Sequence, residues 1–556
     1  MMDSKDLEAE IHPLKNEDGK AQENHENCTE KERVCKKPTG FAQLSRWRTA
    51  AFFLSLFLCL IVVFAFSFII PCPVRPLSQK TWHRTYENAV TYSFLAVEDV
   101  DKDKVQDIIF AFKSTNGSSS FNRSCLDEGL STPCAFIVAV SGTDGSTLWE
   151  RPVTEDVHWM ECGIEQLGGA QSPGCLVLGK LESLTAINSQ TGEALWRRTN
   201  NFGANYTLMT PLLKIPDVDG DSVRDLMIFT TVREEIKTYI LSGKNGNQVG
   251  FPARLGLGRK AVYLMYATKT GSDYLLFHTV NSLYGYSLKD LYSMATGMEP
   301  KLVSLKQDPQ WEKKIESSSH HISLLSSGDI RYMVKLPRRS GEDILVVKSD
   351  MAELLSGQNL ESLWTLNTSR ILSKPVLGYY KPDVLDVVLE STVGPNRKKI
   401  VIVGSGSGAV QWELELNSRA RSPRPATLPT ANHRSTFLFW GEYQAEANET
   451  VRQSRVPFQN LYLFHPSYPN ALLELANSTE QIVVFDAVLF ERSRHACYVL
   501  LTGPQSSEEP GLVSVMKRKL KEDITDSKVI WLGQVSGDSE QYIKDRLYRM
   551  RFQSQI

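Results

Sequence analysis

A ten-residue pattern that returns along the chain constrains the fold more than any other feature. Val140-Ser-Gly-Thr-Asp-Gly-Ser-Thr-Leu-Trp149 recurs as Ile187-Asn-Ser-Gln-Thr-Gly-Glu-Ala-Leu-Trp196, as Leu355-Ser-Gly-Gln-Asn-Leu-Glu-Ser-Leu-Trp364 and as Val403-Gly-Ser-Gly-Ser-Gly-Ala-Val-Gln-Trp412. A looser copy, Leu241-Ser-Gly-Lys-Asn-Gly-Asn-Gln-Val249, lacks the Trp. Each copy reads as a strand, a tight turn and a second strand that starts near the Trp. Trp149 and Trp196 are 47 residues apart, and Trp364 and Trp412 are 48 apart. That period is the size of one four-stranded propeller blade. The expected fold is therefore all-β, a β-propeller with each repeated Trp packed between neighbouring blades. About 470 residues at roughly 45 to 65 per blade give seven or eight blades. The repeat fades beyond about residue 430, which leaves room for a separate β-rich C-terminal module.

One segment lies outside this pattern. Residues 49–70, TAAFFLSLFLCLIVVFAFSFII, hold 22 residues without a charge. At about 1.5 Å per residue they match the hydrocarbon thickness of a bilayer, roughly 30 Å. A cleaved signal peptide would have a short leading region and a small-residue cleavage site. Here 48 residues precede the run and Pro71-Cys72-Pro73 follows it, so a retained signal anchor is expected. Lys31, Arg33, Lys36, Lys37, Arg46 and Arg48 precede it closely, against Arg75, Lys80 and Arg84 after it. The positive-inside rule then puts the N-terminus in the cytosol, in type II topology. The expected organisation is a disordered cytoplasmic tail at 1–48, the anchor at 49–70, a Pro-stiffened stalk at 71–88 and the propeller ectodomain at 89–556.

The region after the run has the character of the secretory pathway. Six Asn-x-Ser/Thr sequons, at Asn116, Asn122, Asn205, Asn367, Asn448 and Asn477, would be glycan acceptors there, whereas Asn27 on the cytosolic side would not. Six cysteines follow the run, an even number, as an oxidising compartment favours. The short-range pairs are Cys125 with Cys134 and Cys162 with Cys175. That leaves Cys72 for Cys497, or for a second chain in a disulfide-linked dimer. The formal net charge of −2 argues against a nucleic-acid partner, which calls for a basic excess.

Two acidic loops carry the strongest chemical signal. Asp99-Val-Asp101-Lys-Asp103-Lys-Val105-Gln-Asp107 and Asp217-Val-Asp219-Gly-Asp221-Ser-Val223-Arg-Asp225 share one spacing, and an apolar strand follows each. Carboxylates at alternate positions wrap a hard cation, and Ca²⁺ takes six to eight oxygens in flexible geometry. The carbonyls of Val105 and Val223 could add a ligand each. An EF-hand would need flanking helices and a Glu at the twelfth position, where Phe110 and Ile228 stand. Asp343-Ile-Leu-Val and Asp386-Val-Val-Leu keep only the strand start and should bind nothing.

These loops resemble the calcium loops of integrin-alpha FG-GAP repeats, and the Trp repeat is similar to that of quinoprotein-type propellers. The sixth loop position, usually Gly in FG-GAP repeats, is Lys104 in one loop and Ser222 in the other. Together with an anchor near residue 50, the combination resembles the "family with sequence similarity 234" membrane proteins over the whole chain. That resemblance implies a single-pass membrane protein with a propeller ectodomain and no enzymatic activity.

Enzymatic signatures are scarce. There is no HExxH, no phosphate loop and no adjacent Cys-Cys pair such as many quinoprotein dehydrogenases carry. Gly404-Ser-Gly-Ser-Gly408 has Gly, not Ser, at its centre, and His320-His321 reads as an exposed loop. The expected function is a cell-surface or secretory-pathway glycoprotein that binds a protein partner. The alternatives are a membrane-tethered hydrolase or oxidoreductase with a pocket on the propeller axis, and a trafficking escort whose tail carries sorting information.

Overall fold

The computed structural model describes residues 46–69 and 81–553, apart from 116–122, 181–182, 200–205, 234, 259–260, 280–281, 300–304, 324–328, 339–340, 419–421, 445–458, 492–494 and 534–536. Two compact units divide the chain, 1–75 and 76–556.

In the first unit, Arg46–Ile69 is one helix of 24 residues. Its stretch Trp47–Ala65 has a mean hydropathy of 2.3 and is not buried. It is long and apolar enough to cross a membrane. It starts three residues before the uncharged run, taking in the basic Arg46 and Arg48.

The second unit is built from antiparallel strands, and a propeller architecture emerges from how they are grouped. Six sheets of four or five strands and one of seven account for the named strands. The seven-stranded sheet is two groups sharing one strand. Trp82–Glu98, 17 residues long, pairs through Trp82–Tyr86 with Val513–Lys517 and through Leu95–Glu98 with Asp107–Phe110. Its first half is the outer strand of the last group and its second half the inner strand of the first. The described strands thus fall into eight groups, numbered here as blades one to eight in chain order. The inner strand of blade one lies beside that of blade two. The same holds for blades four and five, six and seven, seven and eight, and eight and one. One strand from the start of the unit therefore closes the ring against its end.

The core explains the sequence pattern. Eight clusters of buried apolar residues occur, and each draws on two successive blades. Strand Cys134–Val140 shows how. Phe136, Val138 and Val140 face the seam with blade eight, while Ala135, Ile137 and Ala139 face the seam with blade two. A strand buried on both faces needs apolar residues at every position, so it reads as a continuous run rather than an alternation.

Two expectations are corrected. The segment 71–88 is not all stalk, because the closing strand begins at Trp82. Its early residues are mostly exposed: Trp82 and Tyr86 are buried while His83 to Thr85 are exposed. Residues beyond 430 are no separate module but form blades seven and eight of the same ring. Strand Gly511–Lys519 runs directly into helix Leu520–Asp526.

Candidate functional site

The repeated turn positions everything on this face of the ring. In blade one Ser141 N donates to Ser146 O at 2.7 Å and Gly145 N to Ser141 O at 2.8 Å. The same pair of bonds recurs at Asn188, Ser242, Ser356 and Gly404. The second residue of each turn then accepts an indole N–H from the preceding blade. Trp149 Nε1 donates to Ser189 O at 2.9 Å, Trp196 to Gly243 O at 3.0 Å and Trp364 to Ser405 O at 2.7 Å. Trp412 reaches Pro469 O at 3.1 Å.

Two members of this set escaped the sequence reading. Trp82, on the closing strand, donates to Gly142 O at 3.2 Å, and Trp311, on the short helix Pro309–Glu312, donates to Gly357 O at 3.1 Å. Neither follows a Gly-bearing turn, so the ten-residue pattern is silent on them. At the seam between blades three and four, where the loose copy lacks its Trp, helix Leu288–Thr296 packs against strand Gln248–Arg254 instead.

The acidic loops precede the second strands of blades one and three, on the same face as these turns. In the first loop Lys104 N donates to Asp99 at 3.1 Å, Asp103 N to Asp101 at 3.0 Å and Val105 N to Asp103 at 2.7 Å. The second repeats this: Ser222 N to Asp217 at 2.8 Å, Asp221 N to Asp219 at 3.1 Å and Val223 N to Asp221 at 2.8 Å. Val105 and Val223 anchor the loops as buried side chains. Three of the four acids converge in each loop. Asp99, Asp101 and Asp107 bring one oxygen each within 4.8 Å of one another, and so do Asp217, Asp219 and Asp225. Asp103 and Asp221 lie outside these trios and turn to Thr143 Oγ1 at 3.4 Å and Ser242 Oγ at 2.9 Å.

The electrostatics of the trios are those of carboxylates lacking a counter-charge. Burial, then the neighbouring Asp101 and Asp103, push Asp107 up to about 7. Burial and Asp219 push Asp225 up to about 6. Among the described residues, Asp99 Oδ1 is buried without a hydrogen-bond partner. A divalent cation would reverse the local charge balance, and the residues fit one.

The last acid of each loop has a second task, visible because blades without acidic loops keep it. Asp107 accepts from Val100 N and from Gly142 N, both at 2.8 Å, and Asp225 from Val218 N at 2.8 Å and Gly243 N at 3.3 Å. Asp343 likewise accepts from Gly357 N at 3.1 Å and Asp386 from Ser405 N at 3.1 Å. At Gly142, Gly243, Gly357 and Ser405 the residue whose carbonyl takes the Trp therefore gives its N–H to an Asp, whereas in blade two Ser189 N donates to Pro173 O at 3.2 Å. Asp343 and Asp386 are structural staples, a role their strand-start position alone does not reveal.

The sixth loop position explains why Gly is usual there. Lys104 and Ser222 sit at φ 71° and 68°, in the left-handed region. For an L-residue this costs about 1–2 kcal/mol, partly offset by the unfolded-state entropy that Gly adds. Ser222→Gly is expected to stabilise the chain by about 0.5–1 kcal/mol, read as a higher urea midpoint.

The remaining sequence candidates are placed as follows. Asn367 and Asn477 are exposed, on strands Ser362–Asn367 and Ala471–Ser478. Asn116, Asn122, Asn205 and Asn448 lie outside the described residues, as do Asn27 and Cys72. Cys125 is bonded to Cys134 and Cys162 to Cys175. Cys497 is buried in the seam between blades eight and one. His320 stacks on Tyr286 with ring centres 4.3 Å apart.

Comparison with known proteins follows the same lines. The family model described as FAM234A/B beta-propeller matches residues 82–553, starting on the closing strand. Human Protein FAM234A is 47% identical over 556 residues, covering 100% of both chains. Human Protein FAM234B is 32% identical over 491 residues, 85% of this chain and 77% of that one. Among solved structures, the WD40 domain of SCAP from fission yeast is similar at a TM-score of 0.40 and 9% identity, over 78% of this chain and 98% of that one. Exotype rhamnogalacturonan lyase YesX is similar at a TM-score of 0.42 and 12% identity, over 78% of this chain and 72% of that one. Neither of these two remote likenesses bears on function. By the propeller match and the full-length identity, the chain belongs to the FAM234 family and is more similar to its A-type than to its B-type members.

Proposed function

We propose that the chain is a type II single-pass membrane glycoprotein of the cell surface or secretory pathway, whose propeller binds a protein partner and catalyses nothing itself. The apolar helix serves as a retained signal anchor, and the basic charges before it hold the tail in the cytosol. The two disulfides and the exposed Asn367 and Asn477 support an oxidising, glycosylating environment for the propeller. Cys72 pairs with Cys497 or links two chains.

Calcium has a structural role in this reading. Asp217, Asp219 and Asp225, and Asp99, Asp101 and Asp107, would hold it, with Asp221, Asp103 and the carbonyls of Val223 and Val105 close by. The ion would neutralise each trio and stiffen the loop over the Trp-bearing turns.

The observation that carries partner binding is an exposed apolar set at the seam that lacks a Trp. Phe251 is 77% exposed, Met298 63% and Met294 44%. Phe251 is on the strand against which helix Leu288–Thr296, bearing Met294, is packed, and Met298 follows that helix. Exposed Phe and Met together are unusual on a solvated surface and adapt well to a partner.

The test is quantitative proximity labelling of the full-length protein in cells, comparing wild type, Phe251→Ser/Met298→Ser and wild type with an extracellular chelator. A specific set of neighbours is expected in wild type and lost in the double variant. The chelator is also expected to lower the melting temperature of the purified full-length protein by several degrees, an effect absent in Asp217→Asn/Asp99→Asn. An unchanged neighbour set in the double variant would overturn the partner reading.

A further inference from the structure

Blade seven differs from blades one and three on the face that carries the acidic loops. It has no acidic loop there. Its two turns, with the last residues of the chain, instead enclose a pocket of about 410 Å³ lined by Ala431, Asn432, Ser467, Tyr468, Arg546, Arg549, Met550 and Arg551. Three arginines line it and no acid does.

The chain builds this wall deliberately. Helix Glu540–Tyr548 is capped by Ser539 and buries Ile543 and Leu547 in the core of blades seven and eight. Its far face presents Arg546, and Arg549 caps its end. The chain then runs extended along the first turn of blade seven. Ala431 N donates to Arg551 O at 2.8 Å, Gln553 N to Pro429 O at 2.9 Å, and Phe552 is buried between them. Arg551 is thereby fixed at the rim by its own backbone. On the other side Arg434, from blade seven itself, reaches Ser467 Oγ at 3.5 Å.

Among the described residues, none of Arg546, Arg549, Arg551 or Arg434 has a carboxylate within ion-pair distance. A helix C-terminus welcomes cations, which accounts for Arg546 and Arg549. It does not account for Arg551, which lies beyond the helix, nor for Arg434, which lies on another element. The positive potential reaches inward: burial, and then Arg434, hold His465 down to about 4. Arg546 is held by the Tyr468 side chain, and Arg549 and Arg551 stand on the same wall, so three guanidinium groups border one cavity with Arg434 beside it.

We propose that this pocket binds an anionic sugar, a saccharide residue carrying sulfate or phosphate. Guanidinium forks match the paired oxygens of those groups and can hold them bidentately. A bare ion would leave most of the volume empty. The rest of the wall offers what a sugar ring uses: the Ser467 hydroxyl, the Asn432 amide and the Tyr468 ring, whose hydroxyl also bonds Arg546. The volume falls in the range of small-ligand sites. This site is distinct from the apolar set at blades three and four and does not depend on it.

The test uses the full-length protein in detergent at low salt, titrated calorimetrically with a hexose 6-sulfate, the hexose 6-phosphate, the free hexose, and inorganic sulfate and phosphate. The modified sugars are expected to bind at least about tenfold more tightly than the free hexose or the inorganic ions. The tighter of the two modified sugars identifies the anion. Arg549→Gln/Arg551→Gln should weaken that binding by about tenfold or more with an unchanged melting temperature, since both side chains are exposed. Arg549→Lys, which keeps the charge but loses the fork, should fall between. The proposal is overturned if no modified sugar binds at millimolar concentration, if inorganic ions bind equally well, or if the double variant binds as wild type does.

Discussion

Replacing Trp149 by alanine should cost the propeller about 3–5 kcal/mol, among the largest losses any single side chain can produce here. The ring is 5% exposed and spans the seam between blades one and two. Its removal leaves a cavity in a wedge that two blades share, and Ser189 O loses its donor. Trp149→Phe should cost about half as much, because it keeps most of the apolar area but not the N–H. Gly192 gives a sharper test. It sits at φ 69°, and a Cβ there would come within 2.5 Å of the Trp149 ring. Gly192→Ala therefore bears two costs in wild type: about 1–2 kcal/mol for the left-handed backbone and a further 1–3 kcal/mol, roughly, for overpacking against the ring. In the Trp149→Ala background the second cost vanishes and only the first remains. A double-mutant cycle by urea denaturation should thus show a coupling of about 1–3 kcal/mol. Strictly additive losses would mean that the ring does not rest on the turn.

The same turn shows what the sequence made legible. Gly145, Gly192, Gly246 and Gly408 all have positive φ, and each lies under the Trp of the blade before it. Turn and Trp together were readable because a left-handed residue and a large ring leave a fixed spacing in one stretch of chain. That gave the propeller and the packing of each Trp between neighbouring blades, but not which turn lies under each ring. Closure was not readable. The partner of Trp82 lies in the turn of the first blade, the strand bonded beside it lies more than 400 residues downstream, and nothing local marks Trp82–Glu98 as belonging to two blades at once. The fading of the repeat beyond residue 430 also has a physical cause. Blade seven seats Trp412 on Pro469 rather than on a Gly turn, and its fifth strand, Lys528–Trp531, arrives from after blade eight.

The acidic loops divide in the same way. Their spacing put four carboxylates in each loop, but did not show which three converge. Asp103 and Asp221 bond to a hydroxyl in the adjacent turn, a contact between loops that linear spacing does not encode. Asp107 and Asp225 do double duty, and only comparison with Asp343 and Asp386 in space separates the stapling role from the ligating one. The arginine pocket was invisible for a simpler reason: its walls come from residues 431–432, 467–468 and 546–551, which meet because the chain returns to blade seven after completing blade eight.

Glu390→Leu should destabilise the protein by about 3–5 kcal/mol, through charge rather than volume. Glu390 and Lys398 face each other across neighbouring strands of blade six, with oxygen and nitrogen 2.7 Å apart and side chains 3% and 1% exposed. The pair is fully provided for: Ser373 Oγ donates to the other carboxylate oxygen at 2.7 Å, and Lys398 Nζ donates to Ser422 Oγ at 3.2 Å. Removing the acid strands an ammonium in a site with one hydroxyl for company. Removing both charges, in Glu390→Leu/Lys398→Met, leaves no buried ion to desolvate and should return stability to within about 1–2 kcal/mol of wild type. Recovery in the double variant, read from urea midpoints, distinguishes a stranded charge from a lost contact. If the double variant is as unstable as the single one, the loss lies in packing against Ser373 and Ser422, and the pair holds blade six together by shape. The expected recovery would instead mean that the two charges add little net stability and serve to fix how the strands of blade six register, since any slip by one residue would bury each charge without the other.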